Sequence, residues 1–290
     1  MYPQNFFSLF PPFPRNNKVF VAMSFSEEFD SRWENLIAPT IRKVQMNGVS
    51  LNPYRVDVSR INDSILTDIL EGIRSSLLIL ADITAIGNIS GKPVRNGNVM
   101  YEIGIAQAIR LPEEVILFRS DKDEILFDLA NIRVNFYDPD RDPINASTIL
   151  GKSLIEALSE IDQKKSLAVK HAAESLDFNS WQLLVQAGAS PTKTVVQPVI
   201  RTMGDVMSKT RVLMAIYRLL ELGLLTTQFI DITKTVLESF DPHAPAEDIL
   251  KYRITPFGEA VIEQIAEKMG LTKVKDINEL KDFMSNHMLE

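Results

Sequence analysis

Glu102 has the surroundings most suggestive of chemistry. In Asn98-Val99-Met100-Tyr101-Glu102-Ile103-Gly104 it follows Val99 by three positions and precedes Ala106 and Ile109 by four and seven. That spacing sets it on or beside the apolar stripe of a helix expected over 98–110. A carboxylate among apolar neighbours calls for a partner or a functional reason. In the first turn of that helix it would also feel the positive end of the dipole, which favours the ionised form. An acid that merely stabilises a helix start has the same signature. Asp82, at the end of the run Ser76-Leu77-Leu78-Ile79-Leu80-Ala81-Asp82, is a second candidate acid or base. Capping the loop that contains Thr84 is its ordinary alternative. Arg55 and Asp57 close another extended segment and can pair with each other or reach a substrate. Met23 and Ser24 end a short apolar run where a phosphate or base could approach. Asn98 and Tyr101, which flank Glu102, and Thr84 are further candidate substrate-binding residues, and Arg133 is expected to pair with a surface acid.

Such residues need elements to hold them. Residues 18–23 read as a short buried strand, followed by an amphipathic helix from 27 to about 45. An extended segment ending at 54–57 and a helix over 62–74 come next. Ser76 to Asp82 is apolar throughout until its closing acid, as expected of a strand covered on both faces. Residues 83–97 read as a polar, Gly-rich loop carrying Lys92 and Arg95. A strand at 114–118, a short helix at 123–130, a strand at 132–137 and a closing helix at 147–161 complete the alternation. Strands alternating with helices predict a doubly wound, five-stranded parallel sheet of the flavodoxin or Rossmann kind. In such a sheet, ligands bind beyond the carboxyl ends of the strands. Ser24, Arg55, Asp57, Asp82 and the loop before Glu102 all fall at that edge.

Composition narrows the classes. A chain of 290 residues has room for two domains, and 45% hydrophobic with 24% charged residues is globular composition. Apolar runs are strand-length, so no membrane association is expected. The aromatic, Pro-rich leader 1–17 lacks the plan of a signal peptide, which points to the cytoplasm. Having no cysteine excludes thiolate chemistry, disulfides and cysteine-based metal sites. His171, His243 and His287 are scattered without ligand spacing, so no metal is expected. A net charge of -7 argues against a generally cationic nucleic-acid-binding surface, while leaving room for a local one.

VFVAMSF, YRVD, LLILADIT, NGNVMYEIGIAQAI and FDLANIRVNFYD, taken in order over residues 18–140, resemble a bacterial family of nucleotide-binding proteins related to nucleoside 2-deoxyribosyltransferases. TIR-domain NAD glycohydrolases are more distant relatives of that family. The resemblance implies that Glu102 is a nucleophile attacking the anomeric carbon of a nucleoside, nucleotide or NAD. It implies Asp82 as the acid that orients the sugar or handles a proton at the leaving base. A nucleotide or NAD enters as substrate, and no cofactor is expected. A role in bacterial stress or antiviral defence follows from the resemblance alone. The 83–97 loop is longer than the family's. It reads either as a lid bringing Lys92 and Arg95 to a phosphate or as a surface insertion.

From 166 to 290 the pattern turns mostly helical, with DQKK near 165 as the expected hinge. A helix from about 208 to 222 ends on Gly223 as a C-cap, and Thr255-Pro256 begins another. Over 195–266 the order resembles a winged helix-turn-helix. Lys209 and Arg211 are the residues that could meet DNA or a partner. The segment is acidic overall, which favours homo-oligomerisation or protein contact over DNA. Two alternatives to a glycosidase are carried forward: a non-catalytic nucleotide sensor and a winged-helix DNA-binding regulator.

Overall fold

The computed structural model describes residues 15–46, 48–56, 65–123, 134–190, 192–196, 206–229 and 250–268. Most of the leader, Asp57, residues 124–133 with Arg133, His243 and His287 lie outside these. The chain divides into two compact units, Met1–Lys164 and Lys165–Glu290.

In the first unit β1 (Asn16–Ala22) leads into a helix of three parts: α1 (Glu27–Arg32), a π-helical turn (Trp33–Ile37) and α2 (Ala38–Lys43). The single regular helix expected over 27–45 is therefore interrupted. Pro39 has no amide hydrogen to donate one turn back, and the Ala38 N–H bonds instead to the Trp33 carbonyl, five residues earlier. The short hairpin β2 (Gln45–Met46) and β3 (Val49–Ser50) turns the chain into β4 (Asn52–Tyr54). Then follow α3 (Ile65–Ser75), β5 (Ser76–Asp82), the hairpin β6 (Gly87–Ile89) and β7 (Lys92–Val94), and α4 (Gly97–Ile109). A 3-10 turn (Pro112–Glu114), β8 (Val115–Arg119), β9 (Val134–Phe136) and the long α5 (Pro143–Ser175), which runs past the end of the unit at Lys164, close the order.

One five-stranded, all-parallel sheet organises the unit, with strand order β4-β1-β5-β8-β9. In register, Phe20 faces Tyr54 on one side and Ile79 on the other, and Asp82 faces Phe118. Alternate residues of each strand supply two cores. Val19, Val21, Leu78 and Leu80 pack with Ile37, Ile41, Leu150 and Leu154, under α2 and α5. Phe20, Ala22, Ile79 and Ala81 pack with Ile73, Val99, Ile103 and Ala106, under α3 and α4. Both faces are thus covered, which explains the unbroken apolar run of β5. The approach of α3 to the sheet depends on Gly72: a Cβ there would lie 2.6 Å from Phe20 Cδ2 and 2.9 Å from Tyr54 Cε1.

Two further segments differ from the sequence expectation. The segment 83–97 is not an open loop but contains a two-stranded hairpin, turned at Ser90 and Gly91 with φ of 52° and 80°. Positive φ at both central positions matches the right-handed twist of the flanking strands. The closing helix, expected over 147–161, is one helix over Pro143–Ser175, so the polar DQKK stretch is helical rather than a break.

The second unit contains α6 (Phe178–Ala189), β10 (Thr194–Val196), α7 (Val206–Glu221), β11 (Leu225–Phe229), β12 (Leu250–Ile254) and α8 (Pro256–Lys268). Its three strands form an antiparallel sheet in the order β10-β12-β11. Leu184, Ile216, Leu219, Leu225, Ile254 and Val261 are among its buried residues. α7 ends at Gly223, whose φ is 71°, with the Leu224 N–H returning to the Leu219 carbonyl. α8 begins at Pro256, and the Gly258 N–H donates to Thr255 Oγ1 at 3.1 Å, an N-cap. Among the described residues no helix is long and apolar enough to cross a membrane.

Candidate active site

A cavity of about 520 Å³ opens beside the carboxyl ends of β1 and β4, on the face covered by α3 and α4. That volume suits a small-molecule ligand, for which cavities of roughly 300–1,000 Å³ are usual. Phe20, Val21, Met23 and Phe25 line it from β1 and the turn after it, Arg55 and Val56 from the end of β4. Ile65, Leu66 and Ile69 come from α3, and Asn98, Tyr101 and Glu102 from α4. An apolar bed with four polar side chains is the make-up expected of a site for a planar, partly polar molecule.

Glu102 is half-buried in this lining. It has no hydrogen bond or ion pair among the described residues, and burial pushes its carboxyl up to about 7. The sequence predicts Glu102 in the first turn of its helix; α4 starts at Gly97, which corrects this to the second turn. The dipole's help to the charged form fades beyond the first turn, and desolvation wins. A carboxylate with an unspent lone-pair set and a proton in balance near neutrality can attack a carbon or exchange a proton.

Asp82 ends β5 beside the end of β1, with its side chain turned to other partners. It is 2% exposed and does not line the cavity. Its Oδ1 accepts from the Thr84 N–H at 3.0 Å and the Thr84 hydroxyl at 2.5 Å, and its Oδ2 from the Tyr137 hydroxyl at 2.6 Å. Arg32 Nη1 stands 3.7 Å from Oδ2, and Arg32 is held in turn by Glu28 and Asp140. Burial raises the Asp82 pKa against the pull of these hydrogen bonds and of Arg32. Every oxygen of this carboxyl is used inside the fold, which fits the loop-capping reading. Thr84 belongs to the same network and accepts the Ser120 N–H at 3.0 Å. Ser24 is also buried, its hydroxyl 3.4 Å from the Ser26 N–H, and it does not line the cavity.

Of the sequence-predicted residues, then, Met23, Arg55, Asn98, Tyr101 and Glu102 line the cavity together, while Asp82, Thr84 and Ser24 are buried at the same sheet edge without lining it. Asp57 lies outside the described residues, and Arg55 pairs with Asp30, Nη2 to Oδ1 at 2.8 Å. Arg95 does not reach outward as a lid residue. It is held by both oxygens of Asp121, at 3.0 and 3.2 Å, and donates to the Ile83 carbonyl. Lys92 is exposed on the hairpin. In α7 Arg211 is exposed; the side chain of Lys209 is outside the described set. Among the described residues no group of three or more His, Cys, Asp and Glu could hold a metal ion.

Sequence reasoning missed Phe25 and the α3 residues Ile65 and Leu66 as cavity walls. It also missed the Arg32–Asp82–Tyr137 network. Arg32 stands four residues after Glu28, a helical ion-pair spacing that signalled only a surface pair. Its partners at Asp82 and Asp140 are set by the sheet. Set against models of protein families and against curated proteins, the chain matches none.

Proposed function

We propose that the chain is an N-glycosidase or N-glycosyl transferase acting on a nucleoside, nucleotide or NAD, with Glu102 as its nucleophile. The observation that supports this best is a half-buried carboxylate without a partner among the described residues, lining an apolar cavity of ligand size at the sheet's carboxyl edge. The base would lie on the apolar bed, with Glu102 attacking the anomeric carbon as the base leaves. Water or a second base would then release the sugar from the enzyme. Asp82 is not given a catalytic part, because its oxygens are taken up by Thr84 and Tyr137. The test is base release from a panel of nucleosides, nucleotides and NAD, by the protein and by Glu102→Gln. Loss of release in the variant with ligand binding retained supports the assignment; full turnover by the variant removes it.

One observation favours a second reading, a non-catalytic nucleotide sensor. Glycoside cleavage commonly uses two carboxyl groups, and Glu102 is the one acid among the described residues lining the cavity. Ligand-dependent melting or association without base release would support the sensor.

For the second unit we propose a winged helix serving assembly or partner contact. The order of three helices with a three-stranded antiparallel sheet fits it. The exposed face of α7 bears Met207, Met214 and Tyr217 alongside Arg211, an apolar surface better suited to protein than to phosphates.

A further inference from the structure

We propose that Arg55 is the anion receptor of the cavity, so that the ligand is a nucleotide held through its phosphate rather than an uncharged nucleoside. This rests on reading the cavity as a nucleoside or nucleotide site, and it narrows that site to the phosphorylated class.

Arg55 is the one cation among the described residues lining the cavity, as Glu102 is the one acid. Its guanidinium is fixed before any ligand arrives: it stacks 4.7 Å from the Phe25 ring centroid and 5.2 Å from that of Trp33. Nη2 bonds to Asp30 at 2.8 Å. The donors are not all spent, however. Nη1 is buried and has no hydrogen-bond partner among the described residues. Asp30 is 44% exposed, so solvent weakens its hold on the charge. A buried donor left unpaired is costly until something accepts from it. A phosphate, planar-fork complement of a guanidinium, is the natural acceptor. Phe25 both lines the cavity and stacks on Arg55, so the guanidinium forms part of the cavity wall.

Asn98 and Tyr101 offer the cavity neutral donors only, while two other groups able to hold an anion, Arg95 and the start of α4, are already engaged. Arg95 is occupied by Asp121 and the Ile83 carbonyl. At the start of α4 the Asn98 and Val99 N–H groups donate to Asn96 Oδ1, and the Met100 N–H to the Asn96 carbonyl. The helix terminus is therefore capped by its own chain. Arg55 and Glu102 form no ion pair with each other, which leaves one for the phosphate and the other for the sugar.

The test is calorimetric titration of the full chain with four ribonucleosides and their 5′-monophosphates, using the wild type, Arg55→Gln, Arg55→Lys and Asp30→Asn. At least one monophosphate should bind more tightly than its nucleoside by about 10–100-fold, as one or two charge-assisted hydrogen bonds would give. Arg55→Gln should lose that preference and Arg55→Lys keep part of it. Asp30→Asn breaks the same ion pair but leaves the guanidinium, and should keep the preference. Absence of a preference in the wild type overturns the proposal, as does its survival in Arg55→Gln or an equal loss in Asp30→Asn. Base release separates the two readings. A phosphate preference through Arg55 without release ends the glycosidase reading and leaves the anion receptor. Equal release from nucleosides and monophosphates does the reverse.

Discussion

Glu102 stands where a purely structural residue would be apolar, and the fold pays for it in stability. Its pKa in the folded protein, about 7, exceeds the ordinary 4.5, so the folded state holds the proton more tightly than the unfolded one. The contribution is fully present below pH 4.5 and is lost as pH rises through 7. Glu102→Gln should therefore be more stable than wild type at pH 8 by about 1–2 kcal/mol, after discounting for its partial exposure, and nearly equal at pH 4. Chemical denaturation at the two pH values measures this. Asp82 makes the opposite case, an acid the fold needs. Tyr137→Phe removes one of its three closest donors and should cost roughly 1–3 kcal/mol, read as a lower denaturation midpoint with no change in ligand affinity. Glu102 was legible in the sequence because helical spacing sets it beside an apolar stripe and the surrounding Asn-Val-Met-Tyr-Glu-Ile-Gly motif singles it out. The fate of Asp82 was not, because Tyr137 and Arg32 reach it from 55 and 50 positions away in the chain.

At the scale of elements, β5 was readable to the residue, since an apolar run ended by an acid is the pattern of a strand buried on both faces. The hairpin at 87–94 was not: Gly, Asn and Ser in 83–97 suit turns and short edge strands alike, and neither period stands out. The π-turn was equally hidden, although Pro39 gave the local cause. α3 is the element on which the cavity most depends, since it carries Ile65, Leu66 and Ile69 and is seated by Gly72. Gly72→Ala would press on Phe20 and Tyr54. Overpacking should outweigh the better helix propensity of alanine, for a net loss of about 1–2 kcal/mol. Because Phe20 also lines the cavity, ligand affinity should fall as well; a fully stable variant with unchanged binding would show that α3 has room to move.

For the whole molecule, the two units are built on different plans, a parallel α/β sheet and a small antiparallel sheet with helices. The change of character near residue 165 was visible as a change of hydrophobic period, but the continuity of α5 was not, because DQKK is as compatible with an exposed helical stretch as with a linker. If α7 is an assembly surface, replacing its exposed Tyr217 by Glu should shift the chain to a smaller species in sedimentation while leaving ligand binding by the first unit intact. An unchanged sedimentation profile would remove that face from consideration.

The role proposed for Glu102 is that of a carboxylate acting on the substrate. It is tested most directly by the pH dependence of base release for wild type beside Glu102→Gln. A nucleophile must be ionised, so kcat/KM of the wild type should climb as pH rises through about 7 and then level off, with release by Glu102→Gln lower by about a hundredfold or more. Release that is independent of pH across that range, or that persists at full rate in Glu102→Gln, would contradict it.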